Sequence, residues 1–414
     1  MRILRRMQTA TPPRPLSPRL LAAAPHRLMF FVGASNVLLA MLWWFGWLAA
    51  ARGWIAGYPQ PEPYAGWLHA FVMQYQMLAS FIFGFLLTVF PRWMGLPEPD
   101  RWRYVPVGAG LFGGQIVTLL GALGWDAGVL VGTLMTLAGW LAALSALAPL
   151  LWQERGATWH ARACFGALWL GLIGLGGWLA FLLGASPSWA FAAIKIGSFG
   201  FLLPIYFTVA HRMFPFFAGN AVQGYTMWRP FWLLGAVLAL ALAHLGLELV
   251  HGYAWLWLPD LGLLALTLLA LARWWPRGAA PGLLRVLFLG LLWLPVAFAL
   301  YAGQSLVYAA SGAFLLGRAP AHALFVGFFG SVLIAMVTRV TQGHSGRPLV
   351  MPKVAWYAFW AIQGVTLMRL GAELADDGMT WQALSAAGWL VALAPWIVRL
   401  GRIYLAPRAD GRPG

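Results

Sequence analysis

Residues 322–348 read HALFVGFFGSVLIAMVTRVTQGHSGRP. This is an apolar helix with an imidazole at each end. His322 opens it, Arg339 stands near its far end, and His344 follows in a glycine-containing turn. A helix rising 1.5 Å per residue covers roughly 25 Å between His322 and Arg339, close to the hydrocarbon thickness of a bilayer. The stretch reads as a membrane span that holds one histidine near each face. Partners for both must come from other spans.

The composition of the whole chain agrees. Of 414 residues, 61% are hydrophobic and 9% charged, against about 25% charged in a soluble domain. The fold class is all-α: a polytopic membrane bundle of about twelve helices. A net charge of +16 would point to nucleic acid in a soluble chain. Here the arginines lie in short loops between apolar runs, where they set topology instead. The single cysteine, Cys164, excludes an intrachain disulfide. No cysteine-rich motif for an iron–sulfur cluster or covalent haem is present. The run 28–51 is too long for a signal-peptide core and lacks a cleavage site, so it reads as the first span.

The twelve spans fall near 28–51, 67–90, 104–124, 127–152, 162–184, 190–213, 228–249, 255–273, 283–308, 318–340, 353–374 and 381–404. They form a membrane domain over 28–404, between a basic tail at 1–27 and a short tail at 405–414. Arginines concentrate in the first tail, in alternate loops (Arg92, Arg101 and Arg103; Arg155 and Arg162; Arg273, Arg277 and Arg285; Arg347) and at the C-terminal end. The other loops are poor in Lys and Arg and carry Asp126; Glu248 and Asp260; Asp376 and Asp377, with Arg52 and Arg318 as exceptions. The positive-inside rule then puts both termini in the cytoplasm. FGFLL recurs at 83 and 199, and His-Ala opens both the second and tenth spans. Those spans and the sixth are four apart, which suits three four-helix units.

Helix direction sorts the histidines by depth. His69 and His322 begin the second and tenth spans at the outer side. His211 and His344 end the sixth and tenth at the inner side. Each pair could meet as the two axial ligands of a b-type haem held between helices, which needs no covalent motif. A solvated interfacial histidine is the plainer explanation of each. Arg212 and Arg339 flank the inner pair and could hold a second haem's propionates or another anion. His69, Met73 and Met77 share one helix stripe, a soft set that suits copper, though methionine stripes also serve as packing. His244, Glu248 and His251 form a second stripe that could take a borderline metal. Lys195 and Arg369 are intramembrane cations near the outer face, placed either to pair with haem propionates or to snorkel to the interface.

GFLLTVFPRWMG (84–95), VAHRMFPFF (209–217) and HAL at 322 followed by TRVTQGHSGRPL (338–349) resemble the NnrS family of haem- and copper-containing membrane proteins. The resemblance spans nearly the whole chain. It implies a twelve-span inner-membrane protein of the nitric oxide and nitrosative stress response, often alongside denitrification. His69, His211, His322 and His344 match the family pattern. Many members have Trp-His-x-His-Glu-Met at the head of the second span. This chain keeps only His69 and Met73 of that motif. A looser resemblance is to the haem–copper oxidase core subunit, which also has twelve helices in three quasi-repeats and haem-ligating histidines on its second and tenth. Three functions follow as alternatives: a haem protein that binds or processes nitric oxide, a cofactor-free transporter or channel, and a quinol-dependent reductase or oxidase. The near absence of intramembrane carboxylates weighs against ion-coupled transport.

Overall fold

Three long apolar segments are enclosed by the other helices. They are Ala65–Met94, Ser188–Ala221 and Ala319–His344, here α2, α6 and α10. In the computed structural model, 83, 72 and 78% of their apolar windows are buried, against 33–61% in the other eight candidate spans. These three helices are the core of the bundle. The remaining spans are α1 (Pro25–Ala51), α3 (Arg101–Ala122), α4 (Gly128–Gln153), α5 (Trp159–Leu182), α7 (Phe231–Leu249), α8 (Tyr253–Trp274), α9 (Gly282–Ser311), α11 (Lys353–Gly371) and α12 (Gly378–Leu405). The structure describes residues 16–154, 156 and 158–411, so most of the basic tail 1–27 lies outside the described residues. No strand occurs among them.

Eleven of the twelve helices are long and apolar enough to cross a membrane. The twelfth, α11, still runs from face to face. Its start lies by Met351 and Trp356, which crowd Gly282 at the head of α9. Its end brings Arg369 within electrostatic reach of His322 at the opposite side. The start of α1 and the end of α12 sit together: the Ser17 N–H donates to the Leu405 carbonyl at 2.8 Å, and the Arg27 guanidinium donates to the Ala406 carbonyl. That side is called the terminal face below, and its opposite the distal face.

The helices form a closed ring of three four-helix units. α4 packs on α5, α8 on α9, and α12 back on α1. Each unit contributes its second helix to the centre, and each of those helices carries one wide turn of π-helix: Val72–Leu78, Ile196–Leu202 and Ala323–Gly330. The threefold repeat is therefore real, but the FGFLL match does not align it. That motif starts 11 residues after Val72 (83 − 72) and 3 after Ile196 (199 − 196). Apolar sequence repeats by chance, whereas a π turn is a rare backbone event.

A π turn leaves backbone carbonyls without their usual partner, and lipid offers no water to replace it. Side chains from neighbouring helices do so here. Tyr75 OH donates to the Ala193 carbonyl at 2.6 Å, and Gln74 donates to Ile194 at 3.2 Å. Trp140 Nε1 donates to the Tyr75 carbonyl at 3.0 Å. Gly197 in α6 lets Gln74 and Tyr75 approach that closely. α3 and α4 close by another device. Gly110, Gly114 and Gly121 face Gly139, Gly132 and Gly128, and a methyl on Gly121 would strike backbone atoms of the facing helix.

Candidate functional site

Every central helix carries an arginine toward the terminal face: Arg92 on α2, Arg212 on α6 and Arg339 on α10. Together with Arg229 and Arg408 they line one cavity of about 670 Å3. Phe85, Trp93, Phe216 and Phe217 form its apolar walls, and His344 lies on its rim. Arg212 lies over the Trp93 ring at 4.5 Å and Arg339 over Phe217 at 3.9 Å. Neither makes an ion pair with a carboxylate among the described residues, so both are available to an anion. Arg92 is half exposed and pairs with Glu98 at 2.8 Å.

The structure does not bring His211 and His344 together. His344 Nε2 accepts from Arg92 Nη1 at 3.2 Å, and its ring lies 4.2 Å from that of His26. His211 turns away from the cavity. Its Nε2 lies 3.1 Å from the Pro230 carbonyl, which can only accept, so that nitrogen carries the hydrogen. Its Nδ1 must then accept from His160 Nε2 at 2.9 Å. Both ring nitrogens are committed, and His211 ties α5, α6 and the head of α7 together. The inner histidine pairing read from sequence is thus corrected to two pairs, His26 with His344 and His160 with His211. Helix order gives the depth of a residue, not the direction in which its ring turns.

His69 and His322 do come to one place at the distal face, within electrostatic reach of each other and of Arg318 and Arg369. His322 Nδ1 lies 2.9 Å from the Arg318 carbonyl, so it carries the hydrogen and Nε2 keeps a free lone pair. A backbone carbonyl behind one ring nitrogen is the usual support of a metal-ligating histidine. His69 stacks on Trp44 at 4.3 Å, and its buried Nδ1 has no partner. Met73 is half-buried one turn on. The two cations assigned to this region are already engaged. Lys195 pairs with Glu248 at 2.8 Å and Arg369 with Glu373 at 2.6 Å, so neither is free for a propionate.

The stripe of His244, Glu248 and His251 is broken by the end of α7 at Leu249. His251 lies beyond it with a positive φ and hydrogen-bonds Tyr253 OH at 2.7 Å. No three His, Cys, Asp or Glu side chains among the described residues converge as a metal-binding group. A haem held by one or two imidazoles does not require such a group. Intramembrane carboxylates are not absent either: Glu248 and Asp260 are 3% and 0% exposed inside the bundle.

Between the two faces, α2, α6 and α10 leave a small apolar cavity of about 60 Å3, lined among others by Phe30, Phe81, Tyr206 and Met336. Phe85 and Val340 belong to this cavity and to the arginine cavity, so the two adjoin. Sequence reasoning missed His26, His160, Arg229 and Arg408 as members of these sites, because each joins through a contact between distant spans.

No curated protein matches the chain. The family described as NnrS protein matches residues 20–408. That range takes in all twelve helices, both candidate histidine sites and the arginine cavity, and the chain belongs to the NnrS protein family.

Proposed function

We propose that this protein is a multi-pass inner-membrane haem protein of the nitric oxide and nitrosative stress response. In this reading it holds haem b and binds or processes nitric oxide there. The observation that carries the reading is the arginine cavity with His344 on its rim. Its volume lies within the roughly 300–1,000 Å3 of cofactor pockets. Its aromatic walls suit the faces of a flat macrocycle, and Arg212 and Arg339 suit propionates. His344 offers an imidazole whose present partner, Arg92, is exposed enough to swing aside. The haem, when bound, supplies an iron centre to which nitric oxide can add. His344 would be the residue to hold such a group, and Arg212 and Arg339 would anchor its acidic edge. The adjoining apolar cavity is a dry space beside it that suits an uncharged diatomic.

The distal pair is a second position for haem, favoured by the free Nε2 of His322 and the unpartnered Nδ1 of His69. Copper is a further candidate there, with His69 and Met73 as donors. A quinol is a candidate electron donor if the protein is a reductase.

The test is the visible spectrum and metal content of the purified protein with and without nitric oxide. His344→Ala should lose haem or its nitric oxide difference spectrum. The His69→Ala and His322→Ala proteins should keep both if the terminal-face cavity is the only site. A protein with no Soret band in any preparation would leave a cofactor-free transporter as the better reading.

A further inference from the structure

One row of side chains belongs to neither histidine site. It crosses three helices near the distal face: Lys195 on α6, Glu248 and His244 on α7, and Asp260 on α8. Lys195 Nζ is 2.8 Å from Glu248 Oε1, which is 3.6 Å from His244 Nε2. His244 Nδ1 is 2.6 Å from Asp260 Oδ1. His244 and Asp260 are wholly buried. Phe199 covers the imidazole face at 3.7 Å, and Tyr301 of α9 closes on it at 5.2 Å. The charged and titratable groups around the row are Lys195, His244, Glu248, Tyr253, Asp260 and Tyr301.

Two features separate this row from a static ion-pair network. First, it is under-filled. His244 Nε2, the second oxygen of Glu248 and the second oxygen of Asp260 are buried without partners. A purely structural network this deep in a bundle would be expected to satisfy them. Second, it is open at one end only. A cavity of about 180 Å3, with Gln304 and Ser305 on its polar wall, reaches Lys195 and Glu248 and stops there. It is polar and roomy enough for water. Asp260, at the other end, is sealed.

We propose that Lys195, Glu248, His244 and Asp260 form a proton-loading site fed from this cavity. At rest His244 carries its hydrogen on Nδ1 and donates to the Asp260 carboxylate, with Nε2 free. A proton from cavity water is taken by Glu248 and passed to His244 Nε2. The Nδ1 proton moves to Asp260, leaving a neutral imidazole protonated at Nε2. Glu248 returns to the carboxylate paired with Lys195. One proton has entered and one buried negative charge has been cancelled. Nothing is oxidised or reduced. Closing the 3.6 Å gap to hydrogen-bond length needs a shift of roughly 1 Å or less at Glu248. The imidazole works as a two-sided shuttle, which is what its two nitrogens allow. The inference is independent of whether haem is bound.

Infrared difference spectroscopy of the purified full-length protein tests it, comparing alkaline with mildly acidic buffer. A buried-carboxyl C=O band should grow on acidification, move in D2O, and be lost in Asp260→Asn. Glu248→Gln should slow its appearance. Absence of the band from the wild type, or its full retention in Asp260→Asn, would overturn the proposal. If Asp260→Asn does not fold, Lys195→Met at the cavity rim serves. Removing that cation should raise the pH midpoint of the band by roughly one unit or more, and an unmoved midpoint counts against the site.

Discussion

His211 and His344 both lie toward the terminal face on central helices, yet their rings do opposite work. His211 has both nitrogens bound, to His160 and to the Pro230 carbonyl. Truncating it leaves a buried imidazole and a carbonyl unpaired, which costs about 1–3 kcal/mol per group. His211→Ala is therefore expected to lower thermal stability by an amount of that order while leaving cofactor content unchanged. Thermal unfolding and haem content, measured on one preparation, check both halves. Arg212 and Arg339 should behave in reverse. Each rests on an aromatic ring without a carboxylate partner among the described residues. Arg212→Gln with Arg339→Gln should leave folding nearly intact, because removing two like charges from one cavity relieves repulsion. The same double variant should weaken retention of any anionic ligand there, seen as faster haem loss to an apo-protein acceptor.

At the scale of elements, the π turns and the glycine seam carry the architecture. Tyr75 OH is the partner that a π turn in α6 requires at the Ala193 carbonyl. Tyr75→Phe keeps the ring stacked between Phe71 and Phe201 but strands that carbonyl. A loss of about 1–3 kcal/mol is expected, read as a lower unfolding midpoint in detergent. Gly121→Leu should be worse, since a side chain there meets the backbone of α4 rather than a movable group. The seam of α1 with α12 is fastened at the distal face by Arg52, 2.8 Å from Asp377, with Asp377 capping α12 through Thr380. Thr380, through its hydroxyl and N–H, and then Arg52 hold the exposed Asp377 carboxyl below its ordinary range. A group lowered in this way stabilises the fold above its unfolded value and stops doing so as pH falls through its folded one. The stability difference between wild type and Asp377→Asn should therefore be small at neutral pH and vanish on acidification. A difference that grows toward acid pH would contradict this.

The whole molecule is a ring of three units around three buried helices, with both chain ends on one face. Reporter fusions at the C-terminus are expected to be active on the cytoplasmic side, because that face collects the arginines; periplasmic activity would reverse the proposed orientation. The sequence by itself determined the class of the fold, the number of helices and the order of residues along each span. Bilayer thickness fixes span length, and charge cannot be buried cheaply. It also put His69 and His322 at the same end of two central helices. Tertiary structure alone decided which groups share a cavity. His26 meets His344 across a separation of 318 positions (344 − 26). Arg92, Arg212 and Arg339 converge only because their helices surround one axis. Asp260 becomes an intramembrane carboxylate because the bundle rotates it inward onto His244. Apolar spans carry little periodicity to say which side faces lipid and which faces protein, since both are equally apolar. The rotation of each helix is therefore set by packing, and packing is a property of all twelve together.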